Sequence, residues 1–274
     1  MRAEGWRKVA SATWRGPLDP QIYGDLEIDA TELLAFVEEA RAATGARVTV
    51  THLVGRAIAH ALGESPDLNV RKRRGRFVPR DTVAIFFVVS VDGGKDLSGV
   101  RVRDADTKSA VEIAEELSAR AAKIRTGDDR DFGRSKRLLA LTPGPVLRLA
   151  LRFVTWLTAD VGVDLRRFGL PAHPFGSALV TSVGMFGVQH AYAPLSPFYR
   201  VPFLGLVSEV TPKPVVRDGE VVARPVLTLS ATMDHRYLDG SHAGGLARSV
   251  RAYLEDPRAH EPPLPQVPVQ AGER

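Results

Sequence analysis

The sequence predicts an α+β fold, with helices packed on one side of a β-sheet, and three stretches carry that reading. Val226 to Met233 is a β-prone apolar run that ends in Asp234-His235-Arg236-Tyr237-Leu238-Asp239-Gly240, after which Leu246, Val250 and Leu254 recur at helical spacing. Val83 to Val91 is apolar at nearly every position, as a central strand covered on both faces requires. Val48 to Leu62 repeats apolar residues at helical spacing and stops before Pro66.

Taken in order, residues 1–17 form a lead-in segment. A strand over Gly24 to Asp29 follows. Asp29 or Thr31 can cap the next helix, whose apolar face is Leu33, Leu34, Phe36, Val37 and Ala40, up to Gly45. The helix from Val48 to Leu62 carries His52 and His60, both read as structural. Phe77-Val78 and Val83 to Val91 read as a strand pair, and Leu97 to Val102 as the strand after the turn Asp92-Gly93-Gly94. A helix then spans about Ser109 to Ile124, with Val111, Ile113, Ala114 and Leu117 on one side. Val146 to Leu157 is a strongly apolar helix whose Arg148 and Arg152, four apart, share one face. It is too short to span a bilayer, and reads as a lid, a subunit contact or a membrane-surface element. Strands follow at Ala178 to Gly187 and Phe203 to Val216, and the turn Arg217 to Glu220 leads back into the final strand. Past Pro257 the Pro-rich residues 258–274 read as a disordered tail.

Composition narrows the function classes. The 274 residues can bury a sizeable core, and 44% hydrophobic with 25% charged residues describes an ordinary globular protein. No apolar run reaches the length of a membrane span, and the N-terminus lacks the apolar core of a secretory signal, so a cytoplasmic location is expected. The absence of cysteine excludes disulfides, thiolate metal sites and a cysteine nucleophile, and no metal site is expected. A net charge of +5 would suit an anionic ligand. The basic run Arg71-Lys72-Arg73-Arg74-Gly75-Arg76 reads as a solvated hairpin turn rather than a nucleic-acid patch, because no aromatic residues interleave with the charges.

The chemistry concentrates after the last strand. A strand that ends in a histidine just before a helix can fix the imidazole and leave one nitrogen open, and histidine has the side chain whose pKa suits proton transfer near neutrality. Asp239 has the reach to orient that ring or to pin the loop through an arginine; alternatively it caps the following helix. Gly240 closes the turn.

The D-H-R-x-x-D-G string and its preceding strand resemble the catalytic domain of dihydrolipoamide acyltransferases, the core subunits of 2-oxo acid dehydrogenase complexes and structural relatives of chloramphenicol acetyltransferase. Further segments carry the same resemblance: Trp6 to Ser11, Leu26 with Ile28 and Asp29, Thr51 to Asn69, Asp104-Ala105-Asp106 with Ser109, Ala178 to Gly187, and the hairpin over residues 194–220. The chain departs from the pattern at Leu97 to Val102, and roughly thirty additional residues intervene between 125 and 176 where a short loop is usual. The resemblance implies a chloramphenicol acetyltransferase-like two-layer sandwich, a mixed sheet backed by helices. Its catalytic domain would span residues 1–257, with an apolar helical insertion at about 130–172. It implies a homotrimer or a multiple of three, with the active site between subunits. His235 would be the general base, and Thr181 from a neighbouring subunit would stabilise the oxyanion. Asp239 would help hold the site, Asp234, Arg236 and Gly240 would support the loop, and Ser182 would contact substrate.

The substrates implied are coenzyme A or acyl-coenzyme A and a dihydrolipoamide-like thiol or another small acceptor. No lipoyl domain, peripheral-subunit-binding module or Ala/Pro linker precedes the resemblance. The expectation is therefore a free-standing acyltransferase, with any lipoyl group supplied in trans by a separate protein. The alternative is a catalytically silent trimeric scaffold, which the intact His235, Asp239 and Thr181 set argues against. No G-x-S-x-G elbow, Walker loop or H-E-x-x-H helix competes for the function.

Overall fold

A computed structural model describes residues 20–91, 96–125, 144–163, 165, 175–195 and 200–265. The lead-in segment 1–17 lies outside them. Six strands build the main sheet in the order β1-β8-β7-β6-β4-β5. They are β1 (Gln21–Asp29), β4 (Ile85–Val91), β5 (Asp96–Val102), β6 (Ala178–Ser182), β7 (Phe203–Arg217) and β8 (Glu220–Asp234). The β4–β6 and β6–β7 pairs are parallel and the others antiparallel, which makes the sheet mixed, as expected. A separate two-stranded hairpin joins β2 (Val70–Arg73) to β3 (Arg76–Pro79).

Helices α1 (Thr31–Thr44), α2 (Val50–Glu64), α3 (Ala110–Arg125) and α5 (Gly240–Glu255) form the second layer. Leu33, Phe36, Leu53, Ile58, Ile113 and Leu254 from these helices pack with Ile28, Ile85, Phe87, Val180 and Leu227 of the sheet. Gly55 on α2 is what allows the contact with Phe87: a Cβ at that position would lie 2.2 Å from the ring. The other face of the sheet carries a smaller core of Phe86, Leu179, Leu195, Val201, Leu204 and Leu206. Phe86 and Phe87 thus point into different cores, which is why Val83 to Val91 reads as apolar throughout.

Local signals explain the helix ends. Gly45 takes the left-handed conformation at φ 70° and returns its amide to Arg41 O at 2.9 Å, closing α1. Thr49 and His52 form a capping box on α2, in which His52 Nδ1 accepts from the Thr49 amide at 3.1 Å. Burial and the nearby Arg41 charge push the His52 imidazolium down to about 4, so the ring stays neutral and structural. Asp218 and Gly219, with φ of 52° and 84°, make the two-residue turn between β7 and β8.

The structure corrects the sequence reading at three places. Phe77-Val78 does not precede the central strand in the same sheet; it pairs with Arg71 and Lys72, so the basic run is the turn of its own hairpin. β6 ends at Ser182, and Gly184 to Phe186 turn into a short 3₁₀ helix. The tail does not begin at 258. Glu261 is buried and accepts from the Ala110 amide at 3.0 Å and from the Tyr253 hydroxyl at 2.5 Å, while Arg258 reaches Glu32 and Glu39. A carboxylate that satisfies a helix N-terminus outweighs the local Pro-rich composition. Residues 266–274 lie outside the described residues.

Candidate active site

β8 is held on both edges, by β1 and by β7, so its end is a fixed point. Two amides seal it: Asp234 N donates to Pro202 O at 2.9 Å, and His235 N donates to Pro20 O at 2.8 Å. Asp234 is buried, and Arg236 answers its carboxylate through its own amide at 3.0 Å, Nε at 2.9 Å and Nη2 at 2.6 Å. A fork bonded to both carboxylate oxygens fixes geometry as well as charge. The Tyr237 hydroxyl accepts from the Lys72 amide at 3.2 Å and its ring meets Phe77 edge-on, which ties the loop to the arginine hairpin.

His235 itself is exposed. Its Nδ1 lies 2.8 Å from the carbonyl oxygen of Leu238, whose side chain is buried. A carbonyl only accepts, so Nδ1 carries a proton, and in the neutral form of the ring the lone pair is at Nε2. The loop therefore presents an imidazole whose Nε2 is turned away from the carbonyl that orients it.

Asp239 adopts the capping alternative. Its carboxylate accepts from Ser241 N at 2.9 Å, His242 N at 3.1 Å and Ser241 Oγ at 2.8 Å at the start of α5. The His242 amide and the Ser241 hydroxyl hold its pKa down at about 2. Among the described residues it bonds neither the His235 ring nor an arginine, so it positions the loop through the helix. Gly240 is the first residue of α5 rather than a turn glycine: its φ is not positive, and a Cβ there would meet nothing within 4 Å.

Thr181 stands on β6, paired with Leu206 of β7, which in turn pairs with Ser230 of β8. It is half-buried and shares a face with Leu179, away from the helices; Ser182 alternates to the opposite face. Two strand spacings separate Thr181 from β8 and five residues separate Ser230 from His235. That is about 10 Å across and about 17 Å along the sheet. One chain does not bring His235 and Thr181 within reach of each other.

Two features escaped the sequence reading. The run Thr228, Ser230, Thr232, Asp234 alternates with Leu227, Leu229, Ala231, Met233, and all four polar residues are buried on the face away from the helices. The period-2 alternation was present to be read. On β1, Asp25 pairs with His190 Nε2 at 3.0 Å and accepts from the Tyr192 hydroxyl, which fixes the segment after β6 over the outer face. That bond to Asp25 pushes the Tyr192 phenol up to about 12. The partners lie 165 or more residues apart in sequence, and no local pattern announces them.

The family model for the 2-oxoacid dehydrogenases acyltransferase (catalytic domain) matches residues 17–130 and 175–260, leaving out most of the apolar insertion. A dihydrolipoyllysine-residue acetyltransferase component of the acetoin cleaving system of Bacillus subtilis (strain 168) is 26% identical over 263 residues, covering 93% of this chain and 55% of that protein. The corresponding component of the pyruvate dehydrogenase complex of the same organism is 28% identical over 238 residues, covering 85% of this chain and 44% of the relative. The chain thus spans about half the length of the curated relatives it matches. Among solved structures, a probable dihydrolipoamide acetyltransferase from Listeria monocytogenes 4b F2365 superposes with a TM-score of 0.66 at 21% identity, covering 96% of this chain and 97% of that one. The cubic core of a pyruvate dehydrogenase multienzyme complex gives 0.63 at 24% identity, covering 88% and 84%.

Proposed function

The chain belongs to the 2-oxoacid dehydrogenase acyltransferase (catalytic domain) family, and from that premise we propose that it moves an acyl group between coenzyme A and a thiol of the dihydrolipoamide kind. The observation that carries the reading is the His235 ring, with its proton held at Nδ1 by the Leu238 carbonyl and Nε2 left as the base. Nε2 removes the acceptor thiol proton. The thiolate attacks the thioester carbonyl carbon, forming a C–S bond and a tetrahedral oxyanion. Collapse breaks the original C–S bond, and the departing thiolate recovers the proton from the His235 imidazolium.

The oxyanion needs a donor, and Thr181 of the partner subunit is our assignment. The separation within one chain supports it, since hydrogen-bond reach is about 3 Å and the strand geometry sets the two side chains about 20 Å apart. A trimer, alone or within a larger assembly, follows from that need; the cubic core among the solved structures supports it, because a cube has threefold axes at its corners. The Asp234–Arg236 fork and the Asp239 cap hold the loop from either side of the ring. A lipoyl group would come from a separate lipoyl-bearing protein or domain.

The test is acyl transfer from acetyl-coenzyme A to dihydrolipoamide by the purified chain, alongside other thiols, amines and alcohols. We expect turnover with a thiol, reduced at least about 10²-fold in His235→Ala. The ring makes one hydrogen bond and is exposed, so the variant should melt like the parent. Near-normal turnover in that variant would remove His235 from the mechanism. No turnover with any acceptor would leave the fold and remove the activity.

A further inference from the structure

α4 (Gly144–Thr155) and the π-helical turn after it (Trp156–Val161) lie in the stretch that the family match omits. Val146, Leu149, Phe153 and Trp156 recur at helical spacing on one side, and all four are exposed, Leu149 by 71% and Phe153 by 58%. The Phe153 and Trp156 rings lie 5.9 Å apart and widen the apolar stripe. Arg152 is exposed beside it. The far end of the element is firmly seated. Thr158 and Ala159 are buried, Arg73 donates to the carbonyls of Asp160 at 3.2 Å and Val161 at 2.8 Å, and Arg200 pairs with the Asp160 carboxylate at 2.7 Å.

The helix that carries the stripe is therefore anchored at its C-terminal end, through the π-helical turn, on the β2–β3 hairpin. The hairpin tip exposes Arg74 and Arg76, and Arg73, Arg74, Arg76 and Val78 line a pocket there. The Asp160 carboxylate answers Arg200 and accepts from the Arg74 amide at 3.5 Å, and among the described residues no carboxylate forms an ion pair with the guanidinium of Arg74, Arg76 or Arg152. We propose that α4 and the arginine hairpin form one docking face for the surface of an anionic lipid bilayer. An exposed aromatic and aliphatic stripe flanked by unpaired arginines meets both parts of such a surface: acyl chains under the stripe, phosphates against the guanidinium groups.

Length sets the mode of contact. Twelve residues of helix measure about 18 Å against about 30 Å of bilayer hydrocarbon, so α4 lies in the interface and does not span it. Charge selects among occupants. A second copy of a chain carrying +5 offers no surplus of carboxylates for three unpaired arginines, whereas an anionic leaflet does. The same hairpin touches Tyr237, two residues from His235, so a docked bilayer would lie one hairpin away from the proposed base.

Sedimentation of the full chain with vesicles tests the proposal and needs no catalytic readout. We expect binding to phosphatidylglycerol/phosphatidylethanolamine vesicles, little to pure phosphatidylcholine, and weakening as salt rises from 0.1 M, since screening shortens the reach of the charges. Leu149→Glu with Phe153→Glu, and separately Arg74→Glu with Arg76→Glu, should each lower binding at least about tenfold. Acyl transfer between soluble substrates and the light-scattering mass should stay at parental values. Failure of the parent to bind anionic vesicles overturns the proposal whatever the variants do. Binding that ignores both double variants overturns it as well. A fall in oligomer mass in the stripe variant, from a parent that ignores vesicles, would make α4 a contact between copies.

Discussion

Mixing two inactive variants decides where the active site lies. His235→Ala removes the base and leaves Thr181; Thr181→Ala removes the oxyanion donor and leaves His235. The register Thr181–Leu206–Ser230 and the five residues from Ser230 to His235 set the two groups about 20 Å apart in one chain. A site that uses both must draw them from different subunits. In a cyclic trimer each site takes its histidine from one subunit and its threonine from the next. Equal co-expression fills each position with either variant at even odds. A site is intact when a threonine variant supplies the histidine and a histidine variant supplies the threonine, one half times one half, or about a quarter of sites. Each variant alone should retain about one hundredth of the parental rate or less. The mixture should therefore recover about a quarter of the parental kcat per subunit, at least an order of magnitude above either parent variant. Tagging the two variants differently and purifying through both tags confirms that mixed oligomers are assayed, and removing the unmixed trimers raises the expected recovery to about a third, one intact site in each mixed trimer. Mixed oligomers no faster than the separate variants would refute the shared site, and with it the role given to Thr181.

Three further outcomes follow from named contacts. Thr181→Ser keeps the donor hydroxyl and should cost little, whereas Thr181→Ala should lower kcat by roughly 10²-fold; equal damage from both would mean that shape at β6 matters and the hydroxyl does not. Asp239 has its folded pKa depressed to about 2, so its cap contributes fully above about pH 4 and is lost as pH falls toward 2. Asp239→Asn caps without titrating, so its melting temperature should fall less steeply over that window, and identical acid limbs in both proteins would contradict the cap. Gly55→Ala places a Cβ 2.2 Å from the fully buried Phe87 ring and should destabilise by about 1–3 kcal/mol in thermal melts; an unchanged melting temperature would show that the ring can swing aside.

The sequence was most legible where a residue's fate is decided by its neighbours in the chain. Leu33, Phe36, Val37 and Ala40 mark the buried face of α1, and the Asp218-Gly219 turn is announced by its own residues. Legibility failed where distant segments compete for a group. Asp239 could orient a ring or cap a helix, and the three donors at the start of α5 outweigh the single ring nitrogen it would otherwise meet. Glu261 sits in a Pro-rich stretch, yet the Ala110 amide and the Tyr253 hydroxyl draw it into the core. Phe77-Val78 looks like a neighbour of the central strand, because strand propensity does not say which partner an edge will choose. The strand order is likewise non-local: β1 pairs with β8 across two hundred residues of chain.

The spacing of the D-H-R-Y-L-D-G segment becomes intelligible once each residue's partner is known. Asp234 is the last residue of a buried strand, and a buried carboxylate without a partner is costly, so a cation must follow closely enough to turn back on it. Arg236, two residues on, does so with its amide and its guanidinium together. That leaves the residue between them, His235, at the outer edge of a tight turn. Tyr237 then reaches sideways to the Lys72 amide, and Leu238 turns its side chain into the core, which brings its carbonyl back under the imidazole. Asp239 spends its oxygens on the amides of α5, so the helix starts at once and the loop cannot lengthen. Asp234, Tyr237, Leu238 and Asp239 are each consumed by a structural partner. His235 Nε2 is the strong acceptor that the loop leaves unspent, and a nitrogen fixed in direction and free in valence is what a general base requires.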